Sequence, residues 1–220
     1  MTKHEARAEL SVEGVFDASQ DRSRKSRDAF IESGIALLND MQFSDLKVSD
    51  LARHSGRSVG AFYKRFEDKE AFFRALQASA VARNEVIIER HLAPDRLQDL
   101  SPNEIWDEVV DTLADIFSGE GRGVLRESLL RIMNPEDGWA PMRKSGQTIV
   151  QRIVDRLESA YPALTRDDAT RKIRFGYQII VGVLQNDLVN DYHAISTADQ
   201  SVRPALKAVI ADHMKSGTRY

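Results

Sequence analysis

Apolar side chains along the 220 residues recur at three- and four-residue steps, and nothing alternates convincingly with period two. That periodicity predicts helices and no sheet. The first helix covers about 26–39 through Phe30, Ile31, Gly34, Ile35 and Leu38. Two short helices fit 48–54 and 58–64, separated by Ser55-Gly56-Arg57, whose glycine permits a tight turn between helices. A longer helix runs from about Asp68 to His91 and buries Phe72, Phe73, Leu76, Ala80 and Ile87 along one side; Ala93-Pro94-Asp95 ends it. Ser101-Pro102-Asn103-Glu104 is a helix start, with serine as N-cap, proline at the first helical position and an acid in the first turn. It opens a stripe of Ile105, Trp106, Val109, Val110, Leu113, Ile116 and Phe117. A further helix reaches about Met133, Asn134-Pro135-Glu136-Asp137-Gly138 forms a loop, and three amphipathic stretches follow at about 139–160, 166–191 and 199–215. The expected fold is all-α, with about nine helices and a domain boundary in the first half of the 68–91 helix.

Charge changes this picture. The formal net charge is −3, yet residues 22–75 hold eleven Lys/Arg against eight Asp/Glu, while residues 76–220 hold eighteen against twenty-one. A small basic module on an acidic body suits a DNA reader with a separate regulatory part. Residues 1–21 carry two Lys/Arg against five Asp/Glu without a sustained period, and are expected to form a flexible extension. With no cysteine, the chain has no disulfide, thiolate metal site or cysteine nucleophile. No apolar run approaches the ~20 residues of a membrane span, and the N-terminus lacks a secretory pattern, so a cytoplasmic location is expected.

The chemistry concentrates in residues 43–73. Val48, Leu51 and Ala52 share one side of the first short helix, and Ala52 is small enough for a second helix to cross close above it. Phe62 and Phe66, four apart, fall on the inner side of the second and would pack against Leu51 and the Phe30/Ile31/Leu38 face. Val59, Gly60, Tyr63 and Lys64 are left pointing outward, a set that suits a helix in the major groove. Gly60 allows close backbone approach, Val59 or Ala61 can meet a thymine methyl, and Tyr63 and Lys64 reach phosphates or base edges. Ser58 at the N-cap can bind the helix amides or a phosphate. Lys69, beside the positive end of the next helix, favours a phosphate between them. Arg22, Arg24, Lys25 and Arg27 precede the first helix and could track the backbone or enter the minor groove.

This stretch resembles the TetR family signature, a Val-x-x-Leu/Ile-Ala helix, a Gly turn, a Ser-x-Gly-x-Phe/Leu-Tyr recognition helix and a Phe-x-x-Lys-Glu junction. The matching residues are Val48, Leu51, Ala52, Gly56, Ser58, Gly60, Phe62, Tyr63, Phe66, Lys69 and Glu70. The resemblance covers roughly residues 24–76 in detail; beyond it, only helix number and length agree. It implies a three-helix DNA-binding domain at 22–75 and a ligand-binding and dimerisation domain at 76–220. It also implies a homodimer built from the last two long helices, here through Ile180, Leu184, Leu188, Leu206, Val209 and Ile210, together with a palindromic double-stranded operator and a small-molecule effector. By position, Ser58, Val59, Gly60, Tyr63, Lys64 and Lys69 take the DNA-facing roles. Lys47 stands where the family usually has a capping Thr or Ser, so it would keep the phosphate contact while Asp45 or another group takes over the cap. Gln42 and Arg57 also depart from the usual small residues.

In the larger part, Trp106, Phe117, Met133, Trp139 and Tyr177 are large enough to line a ligand pocket, although aromatic and Met residues at helical spacing are more often core. Arg126, Gln178, Asn186 and Asp187 are polar groups inside otherwise apolar helices, and each needs a partner if buried; Asn186 and Asp187 fit a dimer seam equally. Asp187 and Asp191 share a helix face, but His193 falls off it, so no metal is assigned. Nucleophile-elbow, P-loop and dinucleotide fingerprints are absent, and the chain is expected to be neither an enzyme nor a cofactor binder. The competing readings are a helical adaptor acting through protein partners and a small helical enzyme.

Overall fold

The computed structural model describes residues 12–16, 21–131, 140–190, 195–198 and 200–216. Ten α-helices account for most of them: α1 (Asp21–Leu38), α2 (Val48–Ser55), α3 (Val59–Tyr63), α4 (Lys69–Leu92), α5 (Pro94–Leu97), α6 (Pro102–Ser118), α7 (Arg122–Leu130), α8 (Ala140–Leu157), α9 (Arg166–Val189) and α10 (Val202–Lys215), with a 3-10 turn at Glu158–Ala160. Nine coincide with the helices expected from periodicity, and the tenth is the four-residue α5 opened by Pro94. Three details differ. α1 begins at Asp21, so Arg24, Lys25 and Arg27 lie within its first turns instead of ahead of it; Arg and Lys are good helix formers and nothing in 21–25 breaks the helix. Ser26, read as the helix start, is buried inside it. On α4 the buried residue is Ile88, two four-residue steps beyond Ala80, and Ile87 is only half-buried.

The chain divides into two packing units, residues 1–83 with 120–141 and residues 84–119 with 142–220. In the first, α1, α2 and α3 surround a cluster of phenylalanines. Phe62 meets Phe30, Phe66 and Phe72 at centroid distances of 5.5, 5.0 and 5.3 Å, and all four rings are buried. Edge and tilted ring contacts of this kind add stability beyond the buried area. Gly56 caps α2 at φ 65°, a left-handed backbone its amide uses to close the last turn on Arg53.

α7 joins this unit through polar contacts at the C-terminal end of α1. The Asn39 side chain accepts from the Gly123 amide at 3.0 Å and donates to the Glu120 carbonyl at 3.1 Å. Arg126 Nη2 donates to the carbonyls of Leu38 and Met41, both at 2.9 Å, supplying a cation where helix carbonyls lack partners. Buried Gln77 donates to Ser128 Oγ at 3.0 Å. Arg131 pairs with Glu70 at 2.7 Å and its guanidinium lies over the rings of Phe43 and Phe73, 4.7 and 4.2 Å from their centroids.

The second unit is organised on α6, whose expected stripe from Ile105 to Phe117 is buried throughout. The Ser101–Glu104 capping box is complete: Ser101 Oγ accepts from the Glu104 amide, and the Glu104 carboxylate accepts from the Ser101 amide at 2.8 Å. These bonds hold the Glu104 carboxyl below its ordinary value. Arg152 and Arg156 cap the chain ends around α4 and α5 through the carbonyls of Leu92, Leu97, Gln98 and Leu100. α10 is tied to α6 by Arg203 and Lys207 on Asp111 and by Arg203 on Asp115. The buried Lys172 ammonium on α9 donates to the Ser216 carbonyl at the end of α10.

Candidate nucleic-acid interface

The second and third helices set the geometry. Ser58 is the N-cap of α3, its hydroxyl accepting from the Ala61 amide at 3.1 Å, so of its two possible uses the structure shows the helix amide. Two turns of helix alone are marginal in water; α3 is held from beneath by Phe62 and, just past its end, by Phe66, both fully buried. With those rings inward, the remaining side of α3 faces solvent. Val59 is 42% and Tyr63 52% exposed, unusual values for large apolar-bodied residues in this chain, and Gly60 and Lys64 are exposed beside them. A Cβ on Gly60 would meet only Ser58 Oγ, at 4.0 Å. Nothing within the fold therefore demands glycine there, and a smooth backbone face is what it offers outward.

The surrounding cations behave differently from one another. Lys47 is exposed at the N-cap of α2, which has no side-chain cap, so neither Asp45 nor any other side chain takes over the missing Thr or Ser. Lys69 is half-buried: its ammonium donates to the Phe43 carbonyl at 3.1 Å and lies 4.8 Å from the centre of the Phe43 ring. Arg24, half-buried on α1, already has an intramolecular interaction. Arg53 and Arg57, beside the turn, are exposed, with Arg53 paired to Asp50 at 2.9 Å. The structure thus brings Ser58, Val59, Gly60, Tyr63 and Lys64 onto one exposed side, with Lys47 exposed at the start of the neighbouring helix.

Residues outside the sequence reading also adjoin α3. Val15 pairs with Phe66 in an antiparallel bridge, so part of 1–21 is ordered against the residues that follow the recognition helix. The cue was slight, a turn-like Val12-Glu13-Gly14-Val15 with no periodicity around it.

The residues considered for a ligand pocket are dispersed. Trp106 and Phe117 are buried in the core of the second unit, and the Trp106 ring nitrogen donates to Tyr161 at 3.4 Å. Tyr177 is half-buried, with Gly146 against its hydroxyl, and burial pushes its pKa up to about 12. Gln178 and Asn186 are exposed and need no buried partner. Arg126 belongs to the first unit, where capping α1 accounts for its polarity, and Asp187 accepts from the Thr197 amide and hydroxyl. Met133, Trp139, Asp191 and His193 lie outside the described residues. Of the residues considered for a dimer seam, Ile180, Leu184, Leu206 and Ile210 are buried within their own unit, because α9 and α10 both turn these positions toward neighbouring helices. Leu188 is half-buried and Val209 is 49% exposed; Phe175 and Val189, also exposed, share their two helices.

A short helix offering glycine, a phenol and an ammonium above a phenylalanine floor, reached through a glycine turn, defines a helix-turn-helix protein. Residues 30–76 match the model of the bacterial regulatory proteins of the tetR family. An uncharacterised HTH-type transcriptional regulator of Bacillus subtilis strain 168, YwcC, is 34% identical over 61 residues, which span 28% of this chain and 27% of that protein. Among solved structures, a Rhodococcus sp. protein assigned to the TetR family superposes with TM-score 0.64 at 18% identity, covering 87% of this chain and 100% of that one. GusR of Salmonella enterica gives 0.61 at 15% identity over 91% and 100%. NalD of Pseudomonas aeruginosa, the secondary repressor of the MexAB-OprM multidrug efflux pump, gives 0.55 at 18% over 88% and 97%. The structural likenesses concern the fold, the sequence matches its first third. In its first third the chain is similar in sequence to tetR-family regulators, and its fold as a whole is similar to theirs.

Proposed function

We propose that the protein is a homodimeric transcriptional repressor that binds a palindromic operator and is released by a small-molecule effector. The observation that carries DNA binding is the opposition on α3, with Phe62 and Phe66 at 0% exposure beneath Val59, Gly60 and Tyr63 on the solvent side. A helix so mounted can enter the major groove without rearranging the core. In this reading Tyr63 and Lys64 reach base edges or phosphates, Val59 meets a thymine methyl, and Lys47, Ser58, Lys69 and Arg24 contribute to the backbone-facing rim. Lys69 would leave the Phe43 carbonyl, or share its protons with it, to do so. The operator-reading part is 22–75, and 76–220 carries dimerisation and the effector site. Trp106, Phe117, Tyr177 and Gln178 remain the described candidates for that site.

The same reading places the protein in the cytoplasm, where the DNA is; no helix among the described residues is long and apolar enough to cross a membrane. It assigns no catalytic centre, cofactor or metal. The adaptor reading has no feature to explain why Val59, Gly60 and Tyr63 of α3 and Lys64 just past its end are displayed together.

Fluorescence anisotropy with duplex from the protein's own upstream intergenic region tests the proposal. The wild type should prefer that duplex over random sequence and weaken steeply with salt. Tyr63→Ala combined with Lys64→Ala should weaken binding by roughly ten- to a hundredfold, as expected for losing one base contact and one phosphate contact. A wild type indifferent to sequence, or a double variant that binds unchanged, overturns it.

A further inference from the structure

We propose that residues 13–16 form a strap belonging to the DNA-reading module, and that it fixes the pose of the recognition helix without touching DNA. The inference rests on the DNA-binding reading above. α3 is only five residues long, and the chain leaves it through Lys64–Asp68 before α4 begins. Phe62 and Phe66 hold this passage from the inside, but its outer backbone edge has no helical partner. The strap supplies one: the Phe16 amide donates to the Arg65 carbonyl at 2.8 Å, the Glu67 amide donates to the Gly14 carbonyl at 2.9 Å, and Val15 lies opposite Phe66 between them.

The strap is built into the fold on its other side too. The Val15 amide donates to the Val12 carbonyl at 3.1 Å, closing a turn whose third position is Gly14 at φ 75°, where glycine is favoured. A Cβ on Gly14 would stand 2.8 Å from Ala71 Cβ, 3.1 Å from Glu67 Oε2 and 3.2 Å from Arg74 Nη2. The absence of a side chain at Gly14 and the small side chain of Ala71 are thus both required for the strap to lie flat on α4. Arg74 then clamps it, donating to the Glu13 carbonyl through Nε at 3.3 Å and Nη2 at 3.1 Å. Four residues remote from 65–74 in sequence therefore pin the passage on which α3 depends.

A five-residue helix must hold its outward side chains in register with base edges for specific binding, whereas binding to arbitrary sequence requires only charge near phosphates. Loosening the strap should accordingly cost specific affinity and spare the rest. The test uses Gly14→Val in the full chain, with a duplex that the wild type enriches from a randomised pool and an unselected duplex of equal length. Losing the strap bonds should weaken the enriched duplex by about tenfold, the worth of one or two net hydrogen bonds. Affinity for the unselected duplex and the salt slope should hold, while hydrogen exchange at the Glu67 amide accelerates.

Unchanged affinity for the enriched duplex despite faster Glu67 exchange overturns the inference, as does parallel weakening on both duplexes. If Gly14→Val fails to fold, Arg74→Met removes the clamp without backbone strain and should act in the same direction by about threefold; no change in the specific-to-unselected ratio counts against the strap. A wild type that enriches no duplex sinks the DNA reading itself, and that result involves neither variant.

Discussion

Tyr177 shows how far one side chain can be argued. Its hydroxyl lies against Gly146, where a Cβ would come within 2.9 Å, and burial lifts its pKa to about 12 from an ordinary 10. Because the folded value is raised, the stabilisation from keeping the phenol neutral is fully present below about pH 10 and is lost as pH climbs toward 12. Urea unfolding across that window should therefore show the wild type losing about 2–3 kcal/mol more than Tyr177→Phe. Tyr161, also raised by burial, stays in both proteins and cancels; parallel pH profiles would refute the assignment. At this scale the sequence was most informative where a side chain's role follows from its neighbours on the same helix. The four-residue spacing of Phe62 and Phe66 sufficed to place them inward and Tyr63 outward. It was least informative where the partner is a distant backbone carbonyl, as for Lys69 on Phe43 or Arg126 on Leu38. Carbonyl groups leave no signature in a sequence, so both residues looked available for ligands that the fold does not require.

Helices were legible when their caps were: Ser101 with Glu104 announced α6, and Gly56 announced the end of α2. α1 was misjudged by five residues because its early turns carry charge in place of an apolar stripe, and periodicity is blind there. The strap went unseen for a related reason, since a bridge of two residues has no period. α7 presents the clearest element-level consequence. Its Arg126 satisfies two carbonyls at the end of α1, so Arg126→Met should strand them and destabilise the first unit by about 1–3 kcal/mol. Exchange at amides of α1 and α7 should speed up while that of α6 and α9 holds; a uniform change across all four helices would contradict so local a role.

At the scale of the whole molecule, the proposed dimerisation through α9 and α10 would have to use the side chains that packing leaves outside. Ile180, Leu184, Leu206 and Ile210 are consumed by the core, whereas Phe175, Val189 and Val209 are 40%, 39% and 49% exposed. Introducing charge on such a surface opposes burial against an identical copy. If the proposed seam is right, the wild type should be a dimer and Phe175→Glu with Val209→Glu a monomer in sedimentation equilibrium at micromolar concentration. Since two linked heads bind a palindrome far more tightly than one, operator affinity should fall by at least tenfold. A stable dimer in that variant would move the seam elsewhere. Sequence periodicity could rank these positions as apolar, but it could not say which of two apolar stripes on one helix is claimed by the chain itself.

The first packing unit is assembled from two stretches, 1–83 and 120–141, with Asn39, Arg126 and Arg131 as its fasteners. A chimera that grafts the head of this protein onto another body by a single splice after residue 83 would leave Arg126 and Arg131 behind and strip Asn39 of its partners at Glu120 and Gly123. The transplant needs a second junction, or α7 carried along as its own cassette, and any natural exchange of heads among relatives built this way must preserve the same discontinuous match.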